Sequence, residues 1–430
     1  MKNSNITFRL ILMNFLEFAA WGAYLTSMGS FLAKSGFGPQ IWLFFATQGF
    51  VSIFMPALMG IVADKWIPAQ KVLSLCQGIA GISMLAAGWY AMRAGADISF
   101  GLFYALYTIS VAFYMPTIAI SNSVAYNALE KAGKDPVKDF PPIRVFGTVG
   151  FILTMLFVNF MKGADGVQFQ HTYNQFLVSG ILSLILCGYA LTMPNCPCKP
   201  KTEGTQSFAE ATGLSAFRLF KDRQFAVFFI FSMLLGASLQ ITNGYANTYI
   251  TSFKDNPLFA SAWGANNANA LISLSQISET LCILLIPFCM KKFGIKKVML
   301  IAMFAWVFRF GFFGAGNPGS GVWMFVLSCI VYGVAFDFFN ISGSLFVDKN
   351  TDEKIRSSAQ GVFMMMTNGL GATVGSFCAQ WVVNGFTAGK EGAALMAGWT
   401  GAWYVFAGFA LVLAVLFAFV FKYKHDPKNV

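Results

Sequence analysis

Residues 322–346, VWMFVLSCIVYGVAFDFFNISGSLF, form a run of almost unbroken apolar sequence. At ~1.5 Å of rise per residue, a helix of that length crosses a hydrocarbon core ~30 Å thick. Near its middle stands one carboxylate, Asp337, among Phe336, Phe338 and Phe339 and followed by Asn340. A carboxylate at that depth costs roughly 2.5–3.5 kcal/mol to insert, which favours a functional group facing a cavity or a partner. The alternative is a protonated aspartic acid that only ties two helices together. Composition settles the setting. The 430 residues are 57% hydrophobic and 11% charged, against about 25% charge in soluble domains, so this is an all-α integral membrane protein. The apolar runs are continuous and lack the alternating segments of a membrane barrel.

Twelve spans are legible. Six lie at residues 8–32, 41–63, 72–92, 100–126, 143–161 and 173–193. Six more lie at 225–249, 264–290, 298–314, 322–346, 359–386 and 394–421. The first is too long for a signal-peptide apolar core and has no small-residue cleavage site, so it is expected to remain in the mature protein. Pro116 is expected to kink the fourth span, and Pro141 and Pro142 suit a helix first turn before the fifth. Between the sixth and seventh, residues 194–222 are polar and have no spanning run. The expected organisation is a six-helix bundle over 1–193, a cytoplasmic linker over 194–222 and a second six-helix bundle over 223–430. With a cytoplasmic N-terminus, 23 of the 29 Lys and Arg residues fall on inner segments, which puts both termini inside. The net charge of +11 then reflects topology and needs no nucleic-acid polymer. DKWIPAQKVL after the second span and KKFGIKKVML after the eighth are weakly alike, as in transporters built from parallel repeats.

Within the spans lie three acids, Glu17, Glu279 and Asp337. Glu279 and Asp337 each stand fifteen residues into a span running from outside to inside, so they sit at similar depth. Gln276 and Glu279 share a helix face at i, i+3, and Gln240, Asn243 and Asn247 step along one face of the seventh span. Such faces hydrogen-bond a neutral polyhydroxylated solute; the competing reading is interhelical amide contact worth roughly 0.6–2 kcal/mol each. Arg144, Thr148 and Phe151 fall on one face of the fifth span, although Arg144 can also snorkel to the interface. Arg309 is a buried cation with no partner evident in the sequence, and Glu17 is open between a structural pair and substrate contact. The glycines of TNGLGATVG suit close helix contact and not phosphate binding, since no Lys-Ser/Thr follows. His171 and His425 lie outside the apolar runs, so a histidine metal site in the membrane is not expected. The eight cysteines read as reduced thiols, with Cys196 and Cys198 in a cytoplasmic loop.

Gly60 to Lys65 resembles part of the loop signature of the major facilitator superfamily. The blocks MPALMGIVADKW, DFPPIRVFGTVGF, FFIFSMLLGASLQITN, SQISET, FDFFNISGS and SAQGVFMMMTNG closely resemble the bacterial nucleoside:proton symporter family within it. That resemblance runs from the first span to the last. It implies a major facilitator fold and proton-driven nucleoside uptake by alternating access across a bacterial inner membrane. It also implies substrate contacts at Arg144, Thr148, Phe151, Gln240, Asn243, Gln276, Glu279, Tyr332 and Phe336, with Asp337 and Glu279 as proton-coupling groups. Nucleoside, proton and lipid bilayer are the expected partners, the functional unit a monomer, with no organic cofactor and no covalent chemistry. The aromatic residues suit a nucleobase face, and the amides suit base edges or ribose hydroxyls. Two positions depart from the family pattern: Ser238, where a glutamate can occur, and Phe146, where a tryptophan occurs. The rival readings are a major facilitator moving another small solute, such as a sugar importer or a drug exporter, and a channel or receptor. An enzyme is least favoured, because no Ser/His or His/Glu metal pairing lies within the spans.

Overall fold

The computed structural model describes residues 4–198, 214–351 and 353–423. Its secondary structure is helical, and the one β feature among the described residues is an isolated bridge between Lys162 and Gln168. Nine helices among them are long and apolar enough to cross a membrane, and Asn174–Ala190 is a shorter apolar one. Most of the expected linker, residues 199–213, lies outside the described residues.

The chain divides into two compact units, Met1–Gly38 with Phe50–Thr212 and Pro39–Gly49 with Gly213–Val430. Unit 1 holds α1 (Ser4–Gly22), α2 (Met28–Lys34), most of α3 (Ile41–Lys65), α4 (Ala69–Ala94), α5 (Phe100–Lys131), α6 (Pro136–Phe160) and α7 (Asn174–Ala190). The expected first span is therefore broken. A turn with bonds such as Tyr24 N to Trp21 O (3.3 Å) and Ser27 N to Tyr24 O (3.2 Å) joins α1 to α2. Local polar partners favour the break: Ser27 Oγ donates to Gln175 Oε1 (3.0 Å), and Ser30 Oγ lies 3.2 Å from His171 Nδ1. Helix α6 also starts earlier than expected, with Pro136 at its first position and Pro141 and Pro142 inside it. The Asp139 carboxylate accepts from the Asp135 backbone N–H (3.1 Å) and supports that early start. Leu10, Met13, Val72, Cys76, Val124, Ile143 and Leu186 build one core of this unit.

The segment after α7 is tied down. Gln70 accepts from Cys196 N (2.8 Å) and donates to Asn195 Oδ1 (2.8 Å), and burial pushes the Cys196 thiol up from its ordinary value.

Unit 2 holds α8 (Arg223–Ser252), α9 (Ala268–Ile283), α10 (Ile286–Ala315), α11 (Val322–Asn350), α12 (Glu353–Met364), a π-helical segment (Met365–Gly371), α13 (Ala372–Thr387) and α14 (Gly392–Val420). Asp222 caps α8, accepting from Gln224 N (2.8 Å) and Phe225 N (3.0 Å), the chemistry an exposed N-terminus asks for. Two helical pieces form α10, joined at Gly294 with φ 75° and ψ 168°. That left-handed backbone favours glycine and makes the turn in KKFGIKK. The expected eleventh span is α12, the π segment and α13 in sequence. Here α8 approaches to backbone contact: a Cβ on Gly236 would stand 2.1 Å from Thr367 O, and one on Gly375 would stand 2.4 Å from Ala237 Cα. The small residues of TNGLGATVG thus serve helix contact.

Candidate functional site

In unit 2 the organising contact is between α9 and α11. A Cβ on Gly333 would fall 2.5 Å from Ser278 O, and Ser278 Oγ donates to Ile330 O across the same seam. Only glycine lets the helices come so close. One residue after Ser278 stands Glu279, and one turn after Gly333 stands Asp337, so the seam brings the two carboxylates within electrostatic reach of each other. Asp337 is 6% exposed, and its Oδ2 has no hydrogen-bond partner among the described residues. It is therefore not isolated among phenylalanines, as its sequence neighbours suggest; it shares its surroundings with Glu279.

The aromatic wall stands beside them. Tyr332 and Phe336 are one turn apart on α11, and their rings stack at 5.7 Å with 3° between planes. The Tyr332 hydroxyl lies beside the Gln276 side chain and in the field of Glu279 and Asp337. Gln276, Glu279, Tyr332, Phe336 and Asp337 are thus one cluster. Next to Phe336 is a small pocket lined by Leu239 of α8, Trp306 of α10, Asn340 of α11, and Thr367 and Asn368 of the π segment.

Helix α8 separates its amides by role. Asn247 Nδ2 donates to Asn269 Oδ1 (2.8 Å), and Thr251 Oγ1 donates to Asn247 Oδ1 (3.3 Å). Asn247 is interhelical glue. Gln240 differs: it is half-buried, and its Oε1 has no partner among the described residues. Asn243 is half-buried one turn further on. Ser238, at the departing position, is buried, and its Oγ has no hydrogen-bond partner among the described residues.

Unit 1 carries its own polar centre. Fully buried Glu17 accepts from Gln77 Nε2 (2.9 Å) and from Thr117 Oγ1 (2.6 Å), and Gln77 also donates to Thr117 (2.9 Å). Tyr114 donates its hydroxyl to the Glu17 carbonyl. The acid left open by the sequence is thus held by α4 and α5. Arg144 does more than snorkel. Its guanidinium lies 3.8 Å from the Phe18 ring centroid and acts electrostatically on Glu17. Glycines again set the geometry, since a Cβ on Gly150 would meet Phe15 O at 2.3 Å and one on Gly22 would meet Phe151 O at 2.4 Å. Thr148 is half-buried, and Phe151 meets Trp21 edge to face at 6.2 Å.

Sequence reasoning missed Gln77, Thr117 and Trp21. The first two are uncharged polar residues in apolar runs, like the serines near them, so only their position opposite Glu17 distinguishes them. Trp21 lies at i+4 from Glu17, which is the one signal that points to it.

The model of the family described as "Nucleoside H+ symporter" matches residues 4–426. The chain belongs to the nucleoside H+ symporter family. It is 44% identical over 429 residues to the xanthosine permease of Escherichia coli (strain K12), covering 99% of this chain and 98% of that one. It is 44% identical over 424 residues to the nucleoside permease NupG of the same organism, covering 98% and 97%. A crystal structure of nucleoside transporter NupG superposes with a TM-score of 0.87 at 42% identity, covering 98% of this chain and 100% of that one. The protein is a membrane transporter of the major facilitator type, and its relatives are permeases and not enzymes.

Proposed function

We propose that this chain is a proton-coupled nucleoside importer that exposes its site alternately to the two sides of a bacterial inner membrane. The proposal includes twelve membrane-spanning segments, both termini in the cytoplasm, action as a monomer and no organic cofactor. One observation carries it beyond family membership: the Asp337–Glu279 pair stands against the stacked Tyr332 and Phe336 rings. A nucleoside presents a flat aromatic base and a ribose with several hydroxyls. Phe336 supplies a stacking surface for the base, with the Tyr332 ring packed behind it. Gln240, Asn243 and Gln276 supply amides for base edges or hydroxyls, and Glu279 accepts from ribose hydroxyls when ionised. Arg144, Thr148 and Phe151 are the contacts proposed from unit 1. The aromatic stack favours a nucleoside over a free sugar.

Coupling needs a group whose protonation changes the balance between outward and inward states. Asp337 takes that role because it is buried, has an unpartnered oxygen and feels a second carboxylate. The test is uptake of a labelled nucleoside panel in transport-deficient cells, with and without a protonophore. Saturable uptake that collapses with the protonophore is the expected result. Saturable uptake that ignores it removes the symport, and uptake of free sugars with none of nucleosides removes the substrate assignment.

A further inference from the structure

Arg309, on α10 of unit 2, is 2% exposed. Nη1 donates to Ser328 O (2.9 Å) and Ser275 Oγ (3.3 Å), while Ser328 Oγ donates back to Arg309 O (2.8 Å). The neutral Cys329 thiol and Tyr332 ring are its neighbours, with no carboxylate beside it among the described residues, and Nε has no hydrogen-bond partner among the described residues. What surrounds the charge is aromatic: Cζ lies 4.4 Å from the Tyr332 ring centroid, 5.4 Å from Phe313 and 5.9 Å from Trp306. A cation buried without an acid is expensive, and a methionine would fill the same space at lower cost. A charge kept there has work that an apolar side chain cannot do.

That work is legible in what Tyr332 touches. Arg309 lies on its ring, and Phe336 is stacked with it at 5.7 Å. Trp306 meets the ring edge at 6.1 Å and 89°, and the Gln276 side chain lies beside its hydroxyl. A tyrosine held by a cation, a stacked ring and an aromatic edge has one orientation. We propose that Arg309 is a positioning residue for substrate selection: it fixes the Tyr332 ring by cation–π attraction, and through Tyr332 it sets the Phe336 face and the Gln276 amide. Arg309 itself does not touch the substrate. This rests on the reading of Gln276, Tyr332 and Phe336 as substrate contacts.

The experiment is a double-mutant cycle on purified full-length transporter, reading Kd for uridine and for adenosine by calorimetry, beside transport KM and Vmax. Arg309→Met is expected to weaken the tighter-bound of the two about tenfold, the equivalent of ~1.4 kcal/mol. KM should rise with Vmax per folded molecule little changed. Tyr332→Leu is expected to weaken binding at least as much, and the double variant no further than Tyr332→Leu alone. Arg309→Lys keeps the cation without the planar fork and should recover part of the loss; it takes the place of Arg309→Met in the cycle if that variant is not recovered folded. A purely structural role would lower thermal stability and Vmax while leaving Kd at the wild-type value, and that pattern overturns the proposal. So does a double variant whose losses multiply, since Arg309 would then act independently of Tyr332. Wild-type Kd in Tyr332→Leu overturns the site reading as well, whereas wild-type Kd in the Arg309 variant beside a weakened Tyr332→Leu overturns the positioning role alone.

Discussion

Among single residues, the amides of α8 show how one residue type takes two jobs. Asn247 is satisfied by Asn269, whereas Gln240 keeps an unpartnered Oε1. Gln240→Ala and Asn243→Ala should therefore each weaken nucleoside binding by roughly 1–3 kcal/mol, because a substrate group loses its partner, with thermal stability little changed. Asn247→Ala should do the opposite, lowering the unfolding temperature and leaving Kd alone. Calorimetry and thermal unfolding on the same preparations decide, and unchanged affinity in both site variants would return those amides to a structural role. The carboxylates divide in a similar way. Asp337→Asn mimics the protonated acid, so it should retain binding and exchange but lose accumulation driven by a pH gradient. Glu279→Gln should weaken binding itself. Normal gradient-driven accumulation by Asp337→Asn in vesicles would end this division of labour.

At the scale of elements, the site depends on helices that meet backbone to backbone. The α9–α11 seam exists because Gly333 has no Cβ to strike Ser278 O, 2.5 Å from where one would stand. Gly333→Val should push α11 off α9, separate Asp337 from Glu279, and reduce both nucleoside affinity and thermal stability. Gly311 on α10 is the matched control, with nothing within 4 Å of an added Cβ. Gly311→Ala should stabilise the protein by roughly 0.5–1 kcal/mol through helix propensity and leave transport unchanged. If Gly333→Val binds nucleoside as the wild type does, the seam is not what assembles the pair. Both glycines look alike in the sequence, since each stands inside an apolar helix. Only the neighbour across the gap tells them apart.

For the whole molecule, membrane insertion and orientation follow from charge and apolar length, without reference to any contact. With the basic residues gathered on inner segments, both termini are proposed to be cytoplasmic. A fluorescent protein fused to the C-terminus should fold and fluoresce, while alkaline phosphatase at the same point should stay inactive. The reverse pattern would invert the topology and with it the order in which Asp337 meets protons from the two sides.

The helical membrane class, the long apolar runs and the polar break after residue 193 were legible in the sequence alone. They depend on hydrophobic length and on charge counted along the chain, which are properties of local composition. Most of the candidate site residues in unit 2 were legible too, because a carboxylate or an amide is costly in an apolar helix and stands out there. Tertiary structure decided which of those polar groups meet. Glu17 belongs with Gln77 and Thr117, Asp337 with Glu279, and Arg309 with Tyr332, and each pairing joins residues on different helices. It also decided where helices break, at the turn after Gly22 and in the π segment from Met365 to Gly371, because those breaks answer to side chains and carbonyls on neighbouring helices. Periodicity in one segment cannot see a partner in another, and the energies that select these pairings arise only once two helices are in contact.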